Sequence, residues 1–88
     1  MNISGVLVRT RPEKVALVQT ALEQLDGVEV HATTEDGRLI VTVEQADDRA
    51  TASTVDRMQD LPGVIAASMV YHQFEDDELI NESIEQEA

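Results

Sequence analysis

The stretch Leu25-Asp-Gly-Val-Glu-Val-His-Ala-Thr-Thr-Glu-Asp-Gly-Arg-Leu-Ile-Val-Thr-Val-Glu44 decides the fold. Asp26-Gly27 is a helix stop, because glycine takes the left-handed cap conformation that other residues adopt only under strain. Residues 28–33 then alternate apolar and polar, as a half-buried strand does. Glu35-Asp36-Gly37 is a turn signal, and residues 38–44 return as a second strand, so residues 28–44 predict a hairpin.

Working outward, residues 3–9 form a short β-branched run that reads as a buried strand. Pro12 suits the first position of a helix, and Val15, Val18, Leu22 and Leu25 recur behind it at helical spacing, with Ala21 beside them. After the hairpin, Asp47 or Asp48 can cap a second helix carrying Val55, Met58 and Leu61. Pro62-Gly63 breaks that helix, and residues 64–74 read as a last strand. Leu25-Asp26-Gly27-Val28 is echoed by Leu61-Pro62-Gly63-Val64, so the chain is two split β-α-β units. Its order, β-α-β-β-α-β, predicts an α+β ferredoxin-like sandwich: an antiparallel sheet of order 4-1-3-2 with two helices on one face. The domain spans residues 1–74, and residues 75–88 are expected as an acidic, disordered tail.

Composition narrows the function. Eighty-eight residues make one domain with a modest core, too small for a deep substrate cleft. Eighteen acids face six bases, for a net charge of −12. Seven of those acids lie in residues 75–88, and the six bases against the remaining eleven leave −5 for residues 1–74. Such a surface disfavours nucleic acid and anionic lipid, which are bound by Lys and Arg, and favours cationic partners. With no cysteine there is no disulfide, thiolate metal site or thiol catalysis. His31 and His72 sit on different strands without the spacing of a ligand pair, and the glycines at 5, 27, 37 and 63 form no phosphate loop. No serine has a base and orienting acid in pattern. We therefore expect no enzyme, no cofactor and no metal. The opening residues carry neither a basic leader nor a long apolar run, so a cytoplasmic location without membrane insertion is expected.

Helices cover one face of such a sheet, and the other is the candidate interface. Strand alternation assigns Val28, Val30 and Ala32 to the helix side and Glu29, His31 and Thr33 to the open side. The same reasoning puts Leu39, Val41 and Val43 inside and Ile40, Thr42 and Glu44 outside. In the first strand, apolar on both faces, the internal echo puts Ile3, Gly5 and Leu7 inside. In the last strand it puts Val64, Ala66, Ser68 and Val70 inside. The open face is then Val6, Val8, Ile40, Ile65, Met69 and Tyr71, with Ala67 among them, rimmed by Glu29, His31 and Glu44. A contiguous apolar patch with an acidic rim suits an amphipathic, Arg-bearing peptide. On this reading Met69→Glu abolishes binding and leaves the fold intact. A second copy packed sheet to sheet, as a homodimer, is the structural alternative, and a small-molecule sensor domain is another.

The run Leu61-Pro-Gly-Val-Ile-Ala-Ala-Ser-Met-Val-Tyr-His-Gln73, together with Gly37-Arg-Leu-Ile-Val-Thr-Val-Glu44 and Ile3-Ser-Gly-Val-Leu-Val8, resembles the NapD family. That family comprises small cytoplasmic chaperones of the periplasmic nitrate reductase, and the likeness covers residues 3–74. The resemblance implies binding of the twin-arginine signal peptide of the catalytic subunit, which delays export until cofactor insertion and maturation are complete. It implies that the chaperone itself holds no cofactor. The contact residues on the open face come from strand alternation, not from the resemblance.

Overall fold

The computed structural model describes residues 2–74, with side chains through residue 70. The chain runs β1 (Asn2–Thr10), a 3-10 turn (Pro12–Lys14), α1 (Val15–Glu23), β2 (Val28–Thr33), β3 (Arg38–Gln45), α2 (Asp48–Asp60) and β4 (Val64–Phe74). The four strands form one antiparallel sheet of order β2-β3-β1-β4, the ferredoxin-like arrangement expected. Residues 75–88, expected as a tail, lie outside the described residues.

Both helices pack on one side of the sheet. α1 contributes Val18 and Leu22, and α2 contributes Met58, to a core completed by Val6, Val8, Leu39, Val41, Val43 and Ala67. Each Val, Leu or Met side chain among them, fully withdrawn from water, stabilises the fold by about 1.5–3 kcal/mol. The expected Val55, Met58 and Leu61 of α2 all pack against this core, and two threonines join them there. The buried residues of α2 are Thr51, Thr54 and Met58, while Val55 and Leu61 are half-buried. Threonine is tolerated there because each hydroxyl donates back along the helix, Thr51 to the Asp47 carbonyl (3.0 Å) and Thr54 to the Ala50 carbonyl (2.9 Å).

Polar side chains pin the elements where the chain turns. The Asp47 carboxylate caps α2 by accepting from the Ala50 backbone N–H at 2.8 Å. The amide of Asn2 donates to Asp48, joining the start of α2 to the beginning of β1. Gln45 donates from Nε2 to the Asp26 carbonyl (2.8 Å) and to Thr54 Oγ1 (3.1 Å), tying the α1–β2 turn to α2. Gln59 donates to the Ala67 carbonyl at 2.9 Å, fixing α2 on β4. Replacing the cap by Asp47→Ala is expected to cost about 1 kcal/mol of stability, as in other N-cap truncations; thermal or urea melts of the variant would measure it.

Three register irregularities shape the sheet. One lies in β2 between Val30 and Ala32, and two lie in the β1–β4 ladder, at Gly5/Val6 and at Arg9/Thr10. β2 and β4 are the edge strands, where such bulges blunt pairing with other chains.

Candidate functional site

Residues directly opposite one another in a sheet project to the same side, so the register sorts every strand. The helix side carries Val28 against Val43, Val30 against Val41, Val41 against Val6, Leu39 against Val8, and Val8 against Ala67. The uncovered side carries the alternate residues. At one end Arg38, Arg9 and Ala66 form a row across three strands. The next row is Ala32, Ile40, Leu7 and Ser68. Glu29, Thr42 and Gly5 form the third, and Glu44 lies opposite Ile3 at the far end.

The centre of this face is therefore aliphatic: Ile40 is 45% exposed, and Leu7 and Ile3 are half-buried. Gly5, between Leu7 and Ile3, has an ordinary strand conformation rather than a positive φ. A glycine is not needed there for backbone reasons, and its effect is that β1 contributes no side chain to the third row, where another chain can approach closely. Beside it, His31 Nε2 and Thr42 Oγ1 are hydrogen-bonded at 2.7 Å. At the arginine end, the Arg38 guanidinium pairs with Asp36 at 3.5 Å, both well exposed. The Asp36 carboxyl is held below its usual range chiefly by the Thr34 hydroxyl, with the positive charges of Arg38 and Arg9 adding to it.

This arrangement corrects part of the expected site. Val6 and Val8 are not on the open face: they are 1% and 0% exposed, in the core beneath the helices. Ile3, Gly5 and Leu7 take their places. β1 is apolar on both sides, so its alternation carries little information, and the polar Asn2 and Ser4 misleadingly share parity with Val6 and Val8. Both are nevertheless buried. The usable signal was Arg9, which shares parity with Leu7; a guanidinium belongs on the uncovered side.

β4 is corrected as well. Met69 lies opposite Val6 and so on the helix side, although the edge position leaves it 44% exposed. Ile65 sits in the Arg9/Thr10 bulge at the strand edge, 67% exposed, apart from the aliphatic centre. Ala67 is buried inside, and Ala66 and Ser68 belong outside. The bulge in β2 likewise moves Ala32 to the side of Ile40 and Thr33 to the side of Leu39. Each extra residue resets the parity of everything after it. Glu29, His31, Ile40 and Glu44 do come together on the uncovered side, exposed. Tyr71 is opposite Gly5 in the backbone register, and its side chain is outside what the structure describes.

Elsewhere, among the described residues, no three acids or histidines converge as a metal site, and no helix is long and apolar enough to cross a membrane. A cleft of about 220 Å³ lies between the α1–β2 turn and α2, away from the uncovered face. Its walls are mainly polar, including Asp26, Gln45, Thr54 and Arg57.

Comparison with known proteins gives one consistent result. A family model described as NapD protein matches residues 1–76. Chaperone NapD of Escherichia coli (strain K12) is 32% identical over 76 residues, which covers 85% of this chain and 87% of that protein. Chaperone NapD of Haemophilus influenzae is 31% identical over 73 residues, covering 82% and 78%. The solution structure of the E. coli Tat proofreading chaperone protein NapD matches with a TM-score of 0.76 at 32% identity, over 84% of this chain and 79% of that one. A crystal structure of a Thermus thermophilus protein matches with a TM-score of 0.74 at 26% identity, over 86% and 96%.

Proposed function

The chain belongs to the NapD family, whose curated relatives are named chaperones, and from that premise we propose that it binds the twin-arginine signal peptide of the periplasmic nitrate reductase catalytic subunit. Binding occurs in the cytoplasm and holds the precursor back from export until its cofactors are installed. The role is that of a binding partner, without catalysis.

The observation that carries this reading is the uncovered sheet face. Ile3, Leu7 and Ile40 form an aliphatic centre around the gap at Gly5, and Glu29 and Glu44 stand exposed on the same side. A twin-arginine signal peptide has the complementary chemistry, two guanidinium groups followed by an apolar segment. The apolar segment covers aliphatic surface that the domain leaves bare, and the arginines reach the two carboxylates in charge-assisted hydrogen bonds. Ordering the peptide offsets part of the contact energy, which keeps the complex releasable. The E. coli relative's description as a Tat proofreading chaperone supports the same guest.

The test is a calorimetric titration with a synthetic twin-arginine peptide and with its Lys-Lys counterpart. The arginine peptide is expected to bind, and the lysine peptide to bind about tenfold more weakly, because lysine cannot make the planar two-point contact with a carboxylate. Absence of binding to either overturns the chaperone reading. Equal affinities overturn the arginine–carboxylate pairing.

A further inference from the structure

The uncovered face is electrically polarised along its strands. Glu44 lies opposite Ile3 at one end, with Glu29 one row further in, and Arg38 lies opposite Arg9 at the other. Like charges set directly opposite each other destabilise a sheet, and of the two guanidinium groups Arg38 pairs with the Asp36 carboxylate. Arg9 has no ion pair of its own among the described residues. Two of only six bases in a chain of net charge −12 are thus concentrated where the aliphatic strip ends.

We propose that the guest peptide lies along the strands as a helix of fixed polarity, its arginines at the Glu29/Glu44 end and its C-terminal turn capped by Arg9 and Arg38. This rests on the signal-peptide reading of the same face. A helix ends in carbonyl groups without intrahelical partners and carries partial negative charge there, which two guanidinium groups satisfy. The distances match. Ile3 and Arg9 are six residues apart in a strand, roughly 20 Å. A helix rising 1.5 Å per residue spans that length in about 13 residues. That figure falls within the roughly 7–15 residues of a signal peptide's apolar region. The opposite orientation sets the peptide's arginines against Arg9 and Arg38 and the helix's negative end against Glu44, repulsive at both ends.

The experiment uses a peptide of two arginines followed by an apolar segment of that length, with a nitroxide label at one end or the other. Paramagnetic broadening of the protein's amide signals then reports orientation. The N-terminal label is expected to broaden Glu29 and Glu44 and the C-terminal label Arg9 and Arg38. A reversed pattern, or the same pattern from both labels, overturns the proposed polarity while leaving peptide binding in place; failure of the peptide to bind overturns the chaperone reading itself. As a second arm, the Arg9→Gln, Arg38→Gln double variant changes only exposed residues and is expected to bind about tenfold more weakly. It should also lose the gain in affinity that two glutamates appended to the peptide's C-terminus produce with the unaltered protein. Unchanged affinity and an unchanged gain overturn the capping role.

Discussion

Leu7→Glu is expected to leave the domain folded and to weaken binding of a twin-arginine peptide by about a hundredfold, whereas Val8→Glu, one residue along, is expected to abolish folding. The two side chains leave the same strand on opposite sides. Leu7 is half-buried in the centre of the uncovered face, flanked by Ile40 and Ser68. A carboxylate there stays in water in the free protein and is forced against an apolar segment only in the complex, where an unpaired charge is costly. Val8 is 0% exposed, packed between Leu39 and Ala67. A carboxylate there has no partner and no solvent, and the several kcal/mol lost consume most of the stability of a domain this small. Circular dichroism distinguishes the folded from the unfolded variant, and titration calorimetry reads the affinity. Tight binding by Leu7→Glu would mean that the guest sits elsewhere; a folded Val8→Glu would contradict the register of β1. Met69→Glu, which strand alternation alone recommends as a probe, is a poor one, since Met69 is on the helix side opposite Val6.

Gly37→Ala is expected to lower the unfolding free energy by about 3 kcal/mol or more. Gly37 closes the β2–β3 hairpin with φ +97, which L residues rarely adopt. An added Cβ would stand 2.1 Å from the Thr10 carbonyl oxygen. The Thr10 N–H donates to the Gly37 carbonyl at 2.7 Å, so the turn cannot swing away without giving up that bond. Strain and clash therefore act together, at the junction of the hairpin with β1. Urea unfolding measures the loss as a lower midpoint with an unchanged slope. A shift under about 1 kcal/mol would show that the hairpin and β1 move independently.

Gly37 was legible as a turn residue because Glu-Asp-Gly between two alternating runs is a turn signal with a mechanism. Its contact with Thr10 was not, since that closeness depends on β3 lying beside β1. The candidate site divides in the same way. The side of the sheet on which Glu29, Ile40 and Glu44 lie is legible because the hairpin strands alternate cleanly up to the bulge. Val6 and Val8 fall on the wrong side in the sequence reading because β1 offers two apolar faces, and the internal echo, which carries no information on parity across a bulge, was the only guide to its register.

From the sequence alone come the element order, a cap of α2 at Asp47 or Asp48, the ferredoxin-like topology and a helix-free face flanked by acids. These rest on local chemistry: glycine's freedom at Gly27 and Gly37, the Asp47 side chain at a helix start, and hydrophobic periodicity. The stop of α1 does not come from it, since α1 ends at Glu23 with Gln24 as its C-cap, and Gly27, with φ 78, belongs to the turn into β2 instead. Which residues occupy that face was decided only in the tertiary structure. The bulges in β2 and in the β1–β4 ladder arise where neighbouring strands and helices must fit together, and each shifts the parity of the rest of its strand by one. It is this long-range fit that buries Val6 and Val8, turns Ile3 and Leu7 to the uncovered side around Gly5, and sets Arg9 opposite Arg38.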